Sequence, residues 1–167
     1  MRPTWLRFPS TVNEKAARVV AAGVVAQAAL FIATRWSFLL VTLVVGFGLR
    51  VLAGPTLSPL GRLAVHVVAP RLGEPKIVAG SPKRFAQGVG FTVSTVAAAA
   101  WFGGVPVVAL AAAGMLVVAA GLEAGLAICL GCWMYGHLVQ RGVLPESVCI
   151  ECADISIRRS TSVAKAA

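Results

Sequence analysis

Charged side chains are scarce in this chain of 167 residues. They make up 13% of the sequence, whereas hydrophobic residues make up 58%. A soluble globular domain carries about 25% charged residues. Buried helices of such a domain would also need a polar face at helical spacing, which the long apolar runs here lack. The composition therefore excludes an ordinary soluble domain.

Residue types that often act as catalytic acids, bases or nucleophiles are also few. The chain has six acidic residues and two histidines, His66 and His137, which stand apart in the sequence. No GxxxxGK phosphate-binding loop occurs, and no GxGxxG turn follows a strand. No arrangement of serine, histidine and aspartate can be argued either. These absences give no support to nucleotide-driven or serine-based catalysis.

Four long apolar runs are what the chain does have. They lie at about 16–34, 36–53, 85–102 and 105–128, and we expect the last to continue as helix to about Gln140. Runs of roughly 20 apolar residues cross a bilayer. The connections at 34–36 and 102–106 are so short that neighbouring spans must be antiparallel. The sequence predicts an all-α integral membrane fold, a four-helix up-down bundle over residues 16–140, with an N-terminal segment (1–15) and a tail (141–167).

The net charge of +9 is distributed unevenly about these spans. Fourteen of the 15 basic residues fall before the first span, between the second and third, or after the fourth, and Arg35 alone falls on the other side. The positive-inside rule predicts that both termini lie in the cytoplasm, and we expect the protein to lie in the plasma (inner) membrane. The partner of this charge is then the lipid bilayer. No basic patch with interleaved aromatics suggests nucleic acid.

The long connection between the second and third spans has two parts. In PTLSPLGRLAVHVVAP, Ser58, Arg62 and His66 recur every four residues, which predicts a short amphipathic helix at the cytoplasmic membrane surface. The second part, RLGEPKIVAGSPK, has closely spaced Gly and Pro and is predicted to be a loop.

Four cysteines form two pairs, Cys129 with Cys132 and Cys149 with Cys152, in the pattern C-x2-C-x16-C-x2-C. At 1.5 Å per residue, Cys129 lies about 36 Å along the fourth helix, beyond a hydrocarbon core of about 30 Å. Gly121 and Gly125 precede it on the same face of the expected continuous helix. Since two glycines four apart permit close packing, this face should point the first pair at a neighbouring helix.

The third span begins at the same membrane level. Arg84 and Gln87 share a helical face there and are within expected reach of the first cysteine pair. A guanidinium nearby favours the thiolate, so these two residues are candidates for tuning it, although Lys83 and Arg84 can equally serve as membrane anchors. Glu123, an acidic residue within a span, needs a partner or a proton, and Lys83 or Arg84 can supply the partner.

Three interpretations of the cysteines remain open. The spacing is typical of a four-thiolate site for zinc or iron, held by Cys129, Cys132, Cys149 and Cys152. Alternatively, both pairs cycle between dithiol and disulfide, with a quinone near the membrane pair and a soluble partner at the tail pair. The third interpretation is four buried thiols without chemistry.

Three stretches, NEKAARVVAA, KRFAQGVG and EAGLAICLGCWMYG, resemble the bacterial membrane family catalogued as domain of unknown function 4395. The resemblance covers about Val12 to Gln140 and matches the family's Arg-Phe-Ala-Gln (84–87) and Cys-Leu-Gly-Cys (129–132) stretches. Its members, common in actinobacteria, are sometimes associated with thioredoxin-like or sulfurtransferase-type proteins, which implies thiol or sulfur chemistry and such a cytoplasmic partner. Glu123 stands where the family commonly has Asn, and the tail pair looks like an extension that only some relatives carry.

The architecture is also similar to the quinone-linked disulfide-generating enzymes, which have four spans and two cysteine pairs. Their thiols face the oxidising side, whereas the charges here place both pairs on the reducing side. We therefore expect a thiol-redox or sulfur-handling membrane protein. The alternative is a non-enzymatic membrane anchor or complex subunit with a structural metal. A small-solute transporter is a third possibility, disfavoured because the spans have little polar lining.

Overall fold

Four long helices form an antiparallel bundle in the computed structural model, which describes residues 9–142. The elements in chain order are β1 (Thr11–Asn13), α1 (Glu14–Thr34), α2 (Ser37–Ala53), α3 (Pro59–Leu63), β2 (Ile77–Ala79), α4 (Gly80–Phe102), α5 (Pro106–Leu126) and α6 (Leu130–Gln140). In the bundle, α1 packs on α2 and α5, and α4 packs on the same two helices.

The predicted membrane spans are confirmed as helices. Within residues 9–142, four helices are long and apolar enough to cross a membrane: α1, α2 with the turns that follow it to Leu72, α4 and α5. Their outer faces carry large apolar side chains, such as Phe38 and Val107, which are 67% and 75% exposed. So much outward apolar surface suits lipid and not water. The chain is thus a multi-pass membrane protein.

The core of the bundle lies where all four long helices meet. Phe31, Leu40 and Leu43 are fully buried there, and the ring of Phe31 packs edge-on against Trp101 with centroids 5.1 Å apart. Phe47 belongs to the same core, and Gly90 allows α4 to approach its ring so closely that a Cβ atom would overlap it. This packing fixes α2 against α4.

The segment after α2 is helical, as predicted for its first half. It runs through a 3-10 turn (Gly54–Thr56), α3, a π-helical turn (Ala64–Val68) and a second 3-10 turn (Ala69–Leu72). Ala64 and Ala69 are buried against Ala16 and Val20 of α1. The segment therefore packs on the bundle.

The polar face predicted for that segment is only partly correct. Arg62 and His66 are exposed, but Ser58 is fully buried. Its hydroxyl accepts the Gly61 N–H at 3.3 Å and so caps the start of α3. A serine that caps a helix points its hydroxyl toward the backbone N–H groups that it accepts from. The four-residue spacing alone does not predict this inward orientation of Ser58.

The predicted loop before the third span is shorter than expected. Residues 77–79 form β2, which pairs antiparallel with β1, and α4 begins at Gly80 and not near Phe85. Pro82 lies in the first turn of α4, where a missing N–H costs nothing because the helix has no acceptor for it there. The proline therefore marks the start of the helix and not a loop.

The prediction of one continuous helix from about 105 to Gln140 is wrong. The chain breaks after Leu126, because Ala127 adopts a left-handed conformation (φ 59°), and α6 starts anew at Leu130. The Arg18 guanidinium of α1 donates to the carbonyls of Ala124 and Gly125, both at 3.0 Å. A cation at a helix C-terminus satisfies carbonyls that lack helical partners. The capped end allows α5 to stop without a glycine or proline.

The break places the cysteines at one end of the bundle. At that end α1 begins at Glu14, α2 ends at Ala53, α4 begins at Gly80 and α5 ends at Leu126. We call it the cysteine end. Both β-strands and the turns that follow α2 lie beside it, since each adjoins one of these termini.

Candidate functional site

The first cysteine pair forms a disulfide at the start of α6. Cys129 is the N-cap residue, and its sulfur accepts the backbone N–H of Cys132 at 3.3 Å. The two sulfurs are bonded to each other, and the Cα atoms lie 5.2 Å apart. Both residues are half-buried. The geometry is thus a Cys-x-x-Cys turn at a helix N-terminus, the setting in which a thiolate is stabilised by backbone N–H groups.

The glycine face predicted for this pair does not exist, because the helix break separates Gly121 and Gly125 from the cysteines. A Cβ atom at either glycine would meet nothing within 4 Å in the described part of the chain. These glycines therefore do not bring another helix close. The close approach occurs instead at Gly131, between the two cysteines.

Gly131 packs directly on Ala86 of α4. A Cβ atom at Gly131 would lie 2.5 Å from the Ala86 Cβ and 2.6 Å from its Cα. Next to this contact, the rings of Phe85, which precedes Ala86, and Tyr135, one turn after Gly131, have centroids 5.7 Å apart. The Arg-Phe-Ala-Gln and Cys-Leu-Gly-Cys stretches are therefore in contact, and α6 is held chiefly by α4.

A small cavity opens beside the disulfide. It has a volume of about 200 Å³ and lies between α1, α2, α4, α5 and α6. Cys129, Gln87 and Glu123 contribute to its wall, and most of the remaining lining is apolar, including Phe47 and Met115. Ligand pockets are usually about 300–1,000 Å³, so this one suits only a small group.

A cluster of polar side chains lies among the helix ends near this cavity. Lys83 and Glu123 form an ion pair with Nζ and Oε1 2.5 Å apart, and their side chains are 11% and 14% exposed. The sequence allows either Lys83 or Arg84 as the partner of Glu123, and in the structure the partner is Lys83. The pair joins the first turn of α4 to the last turn of α5.

The two predicted tuning residues have different surroundings. Gln87 lines the cavity with Cys129, and its Oε1 accepts a hydrogen bond from Arg50 Nε at 2.7 Å. Arg84 is exposed, and its Nε donates to the Val51 carbonyl at the end of α2 at 3.1 Å. The structure thus brings Gln87 and Cys129 to one cavity, while Arg84 caps a neighbouring helix.

Arg50 is the residue that sequence reasoning missed. It was counted only as one of the flanking basic residues, yet it is 5% exposed and links Gln87 to Ser58, whose Oγ accepts from Arg50 Nη1 at 3.3 Å. A signal was present, because Arg50 precedes three further residues of the apolar run and so lies inside the helix. The positive-inside rule does not detect such a residue, because it counts basic residues on each side of the membrane and takes no account of burial.

A metal site cannot be assembled from the described residues. Within 9–142, no three His, Cys, Asp or Glu side chains are grouped closely enough to hold an ion. The sulfurs of Cys129 and Cys132 are bonded to each other, whereas metal ligation requires free thiolates. Cys149 and Cys152 lie outside the described residues, so the four-cysteine site stays a prediction.

Comparison with known proteins agrees with the motif-level resemblance. A family described as a domain of unknown function (DUF4395) matches residues 12–140 of the chain. That range contains the disulfide, the cavity and the polar cluster, and it ends before the second cysteine pair. No curated protein and no solved structure matches.

Proposed function

We propose a function for this chain on the premise that it belongs to the family described as domain of unknown function 4395. The protein is a thiol-redox protein of the plasma membrane, with both termini in the cytoplasm, and Cys129 and Cys132 are its working pair. The observation that carries this proposal is the Cys129–Cys132 disulfide at the N-terminus of α6. The positive-inside distribution of basic residues supports the orientation.

The chemistry is reversible thiol–disulfide exchange. A thiolate of a cytoplasmic dithiol protein attacks one sulfur of the disulfide, and the other sulfur leaves as a thiolate and takes up a proton. The partner's second thiolate then resolves the mixed disulfide. The partner loses two electrons and two protons and becomes a disulfide, while Cys129 and Cys132 become a dithiol.

The dithiol must then be reoxidised at the membrane. The cavity beside Cys129 is largely apolar and has Gln87 and the Lys83–Glu123 pair in or next to its wall, which suits the head group of a quinone. In this step Cys129 and Cys132 give two electrons and two protons to the quinone, which leaves as quinol. Gln87 accepts from Arg50 through Oε1, and its amide NH₂ group can donate to a quinone oxygen.

The tail pair has a supporting role in this proposal. Cys149 and Cys152 collect electrons from the soluble partner and pass them to Cys129 and Cys132 by exchange. A thioredoxin-like or sulfurtransferase-type protein is the class of partner. No observation on residues 9–142 favours the metal-bound anchor or the transporter over this function.

Exchange with a reduced thioredoxin-type protein tests the proposal. The C149S/C152S variant isolates the membrane pair, and its oxidised form is expected to convert about one partner dithiol per chain into a disulfide, measured by alkylation and mass spectrometry. With Cys132→Ser added, Cys129 should attack a partner whose single reactive cysteine is activated as a thionitrobenzoate mixed disulfide, which gives a Cys129–partner disulfide and releases thionitrobenzoate. Cys129→Ser on the same background should trap much less, because Cys132 lacks the N-cap position.

Two results would contradict the proposal. One is no oxidation of the partner by the C149S/C152S variant. The other is equal trapping by the two single-cysteine variants, which would mean that the helix N-terminus does not select the reactive sulfur. The wild-type chain run in parallel gives the contribution of the tail pair, since only that protein retains all four cysteines.

A further inference from the structure

A buried arginine at the cysteine end makes its side-chain hydrogen bonds only to neutral groups in the described fold. Arg50 is 5% exposed and bonds the side chains of Gln87 and Ser58. Its guanidinium also lies over the Phe47 ring, 4.5 Å from the centroid. A charge taken out of water is costly unless it is paired with an opposite charge. None of these three neighbours supplies one.

The carboxylates of the described residues are engaged elsewhere or lie at the surface. Glu123 pairs with Lys83, Glu14 pairs with Lys76, and Glu74 is exposed in the loop before β2. No carboxylate of residues 9–142 comes within 4.0 Å of the Arg50 guanidinium, the limit for an ion pair. Glu123 attracts Arg50 only from beyond that distance and is already paired with Lys83, so Arg50, Lys83 and Glu123 together keep one net positive charge.

A second cavity lies against this arginine. It has a volume of about 300 Å³, the lower end of the usual range for ligand pockets, and both Arg50 and Lys83 line it. One wall is formed by β1 and the first turns of α1, and another by the 3-10 turn after α2. Most of the lining is apolar, including Val12, Val20 and Val65.

The polar groups of this cavity are mostly donors. Asn13 Oδ1 accepts the Lys15 N–H and Gln87 Oε1 accepts from Arg50, which leaves the amide NH₂ groups of Asn13 and Gln87 to donate. Arg50 and Lys83 carry two positive charges, and Glu123 cancels one of them. The cluster thus has one net positive charge and several donors, which matches an anion with one negative charge.

We propose that this cavity binds a singly charged phosphate group through Arg50. The planar fork of a guanidinium matches the oxygens of a phosphate, and Lys83 adds a second charged donor. A phosphodiester carries one negative charge, and the apolar lining accommodates the ester groups of a lipid. Dihydrogen phosphate has the same charge and oxygens. This cavity shares Gln87 with the cavity beside Cys129, but the binding of a phosphate requires no thiol chemistry.

Binding to the full-length protein in a neutral maltoside detergent tests the proposal. The probes are inorganic phosphate, phosphatidylglycerol and, as the phosphate-free lipid, diacylglycerol, all at constant chloride concentration. We expect phosphatidylglycerol or phosphate to raise the thermal unfolding midpoint and to bind at one per chain by native mass spectrometry. Arg50→Gln, which retains hydrogen-bond donors without the charge, should bind at least tenfold more weakly.

Arg62→Gln is the matched control, because it removes one positive charge from an exposed side chain of α3. Its affinity should stay within twofold of wild type. Saturation by phosphatidylglycerol alone identifies a lipid phosphodiester, and saturation by inorganic phosphate alone identifies a free ion. The proposal is overturned if wild type binds neither probe, a result that does not depend on how well any variant folds. It is also overturned if Arg50→Gln binds as tightly as wild type.

Discussion

Alanine at Gly131 is expected to detach α6 from α4 while leaving the four-helix bundle intact. The added Cβ would lie 2.6 Å from the Ala86 Cα, a backbone atom that cannot move aside as a side chain does. Overpacking typically costs about 1–3 kcal/mol. Because α6 has few contacts with α5, this cost falls on the α4–α6 contact. Amide hydrogen exchange should show α6 protection reduced about tenfold to a hundredfold.

The matched control is Gly136→Ala in the same helix. A Cβ there would meet nothing within 4 Å among the described residues. Alanine is favoured over glycine in a helix by about 0.5–1 kcal/mol, so protection of α6 should stay equal or rise. The same substitution at two positions of one helix should thus have opposite effects. Equal loss of protection in both variants would show that α6 does not depend on the Ala86 contact.

Removing the charge of Lys83 is expected to destabilise the bundle itself. Lys83→Met leaves the Glu123 carboxylate without its partner in a setting where both side chains are more than four-fifths buried. Breaking a buried pair costs about 3–5 kcal/mol. Since this pair retains some exposure, we expect about 2–3 kcal/mol less free energy of unfolding, measured by denaturant titration of the protein in detergent.

Two further variants separate the ion pair from other effects of the substitution. Lys76→Met breaks the Lys76–Glu14 pair, in which the lysine is 64% exposed, so its cost should be within about 1 kcal/mol. Lys83→Met combined with Glu123→Gln removes both charges and should recover most of the lost stability. If the double variant is as unstable as Lys83→Met, the loss comes from packing and not from an unpaired carboxylate.

The helices of the bundle could be predicted because each is specified by a local property. Apolar runs of bilayer length fixed the four spans, and the three-residue connection at 34–36 required α1 and α2 to be antiparallel. The Glu123–Lys83 pair could also be predicted from a local property, because an acidic residue inside a membrane span requires a partner nearby.

The site itself depends on contacts between distant parts of the chain. The break at Ala127 is stabilised by Arg18, more than 100 residues away, and nothing in GLEAGLAICLGC signals it. The prediction from helical periodicity therefore assumed an unbroken helix and wrongly placed Gly121 and Gly125 on the same face as Cys129. The pairing of β1 with β2 likewise joins residues 11–13 to 77–79, which no spacing rule predicts.

A redox titration of Cys129 and Cys132 tests the central claim most directly. The C149S/C152S variant is equilibrated at a series of dithiol and disulfide ratios, alkylated and weighed by mass spectrometry. The account predicts one two-electron transition, from two alkylated cysteines to none, with no singly alkylated species accumulating. The account would be contradicted if both cysteines were alkylated at every ratio of dithiol to disulfide, because the pair would then not form a disulfide in the folded protein.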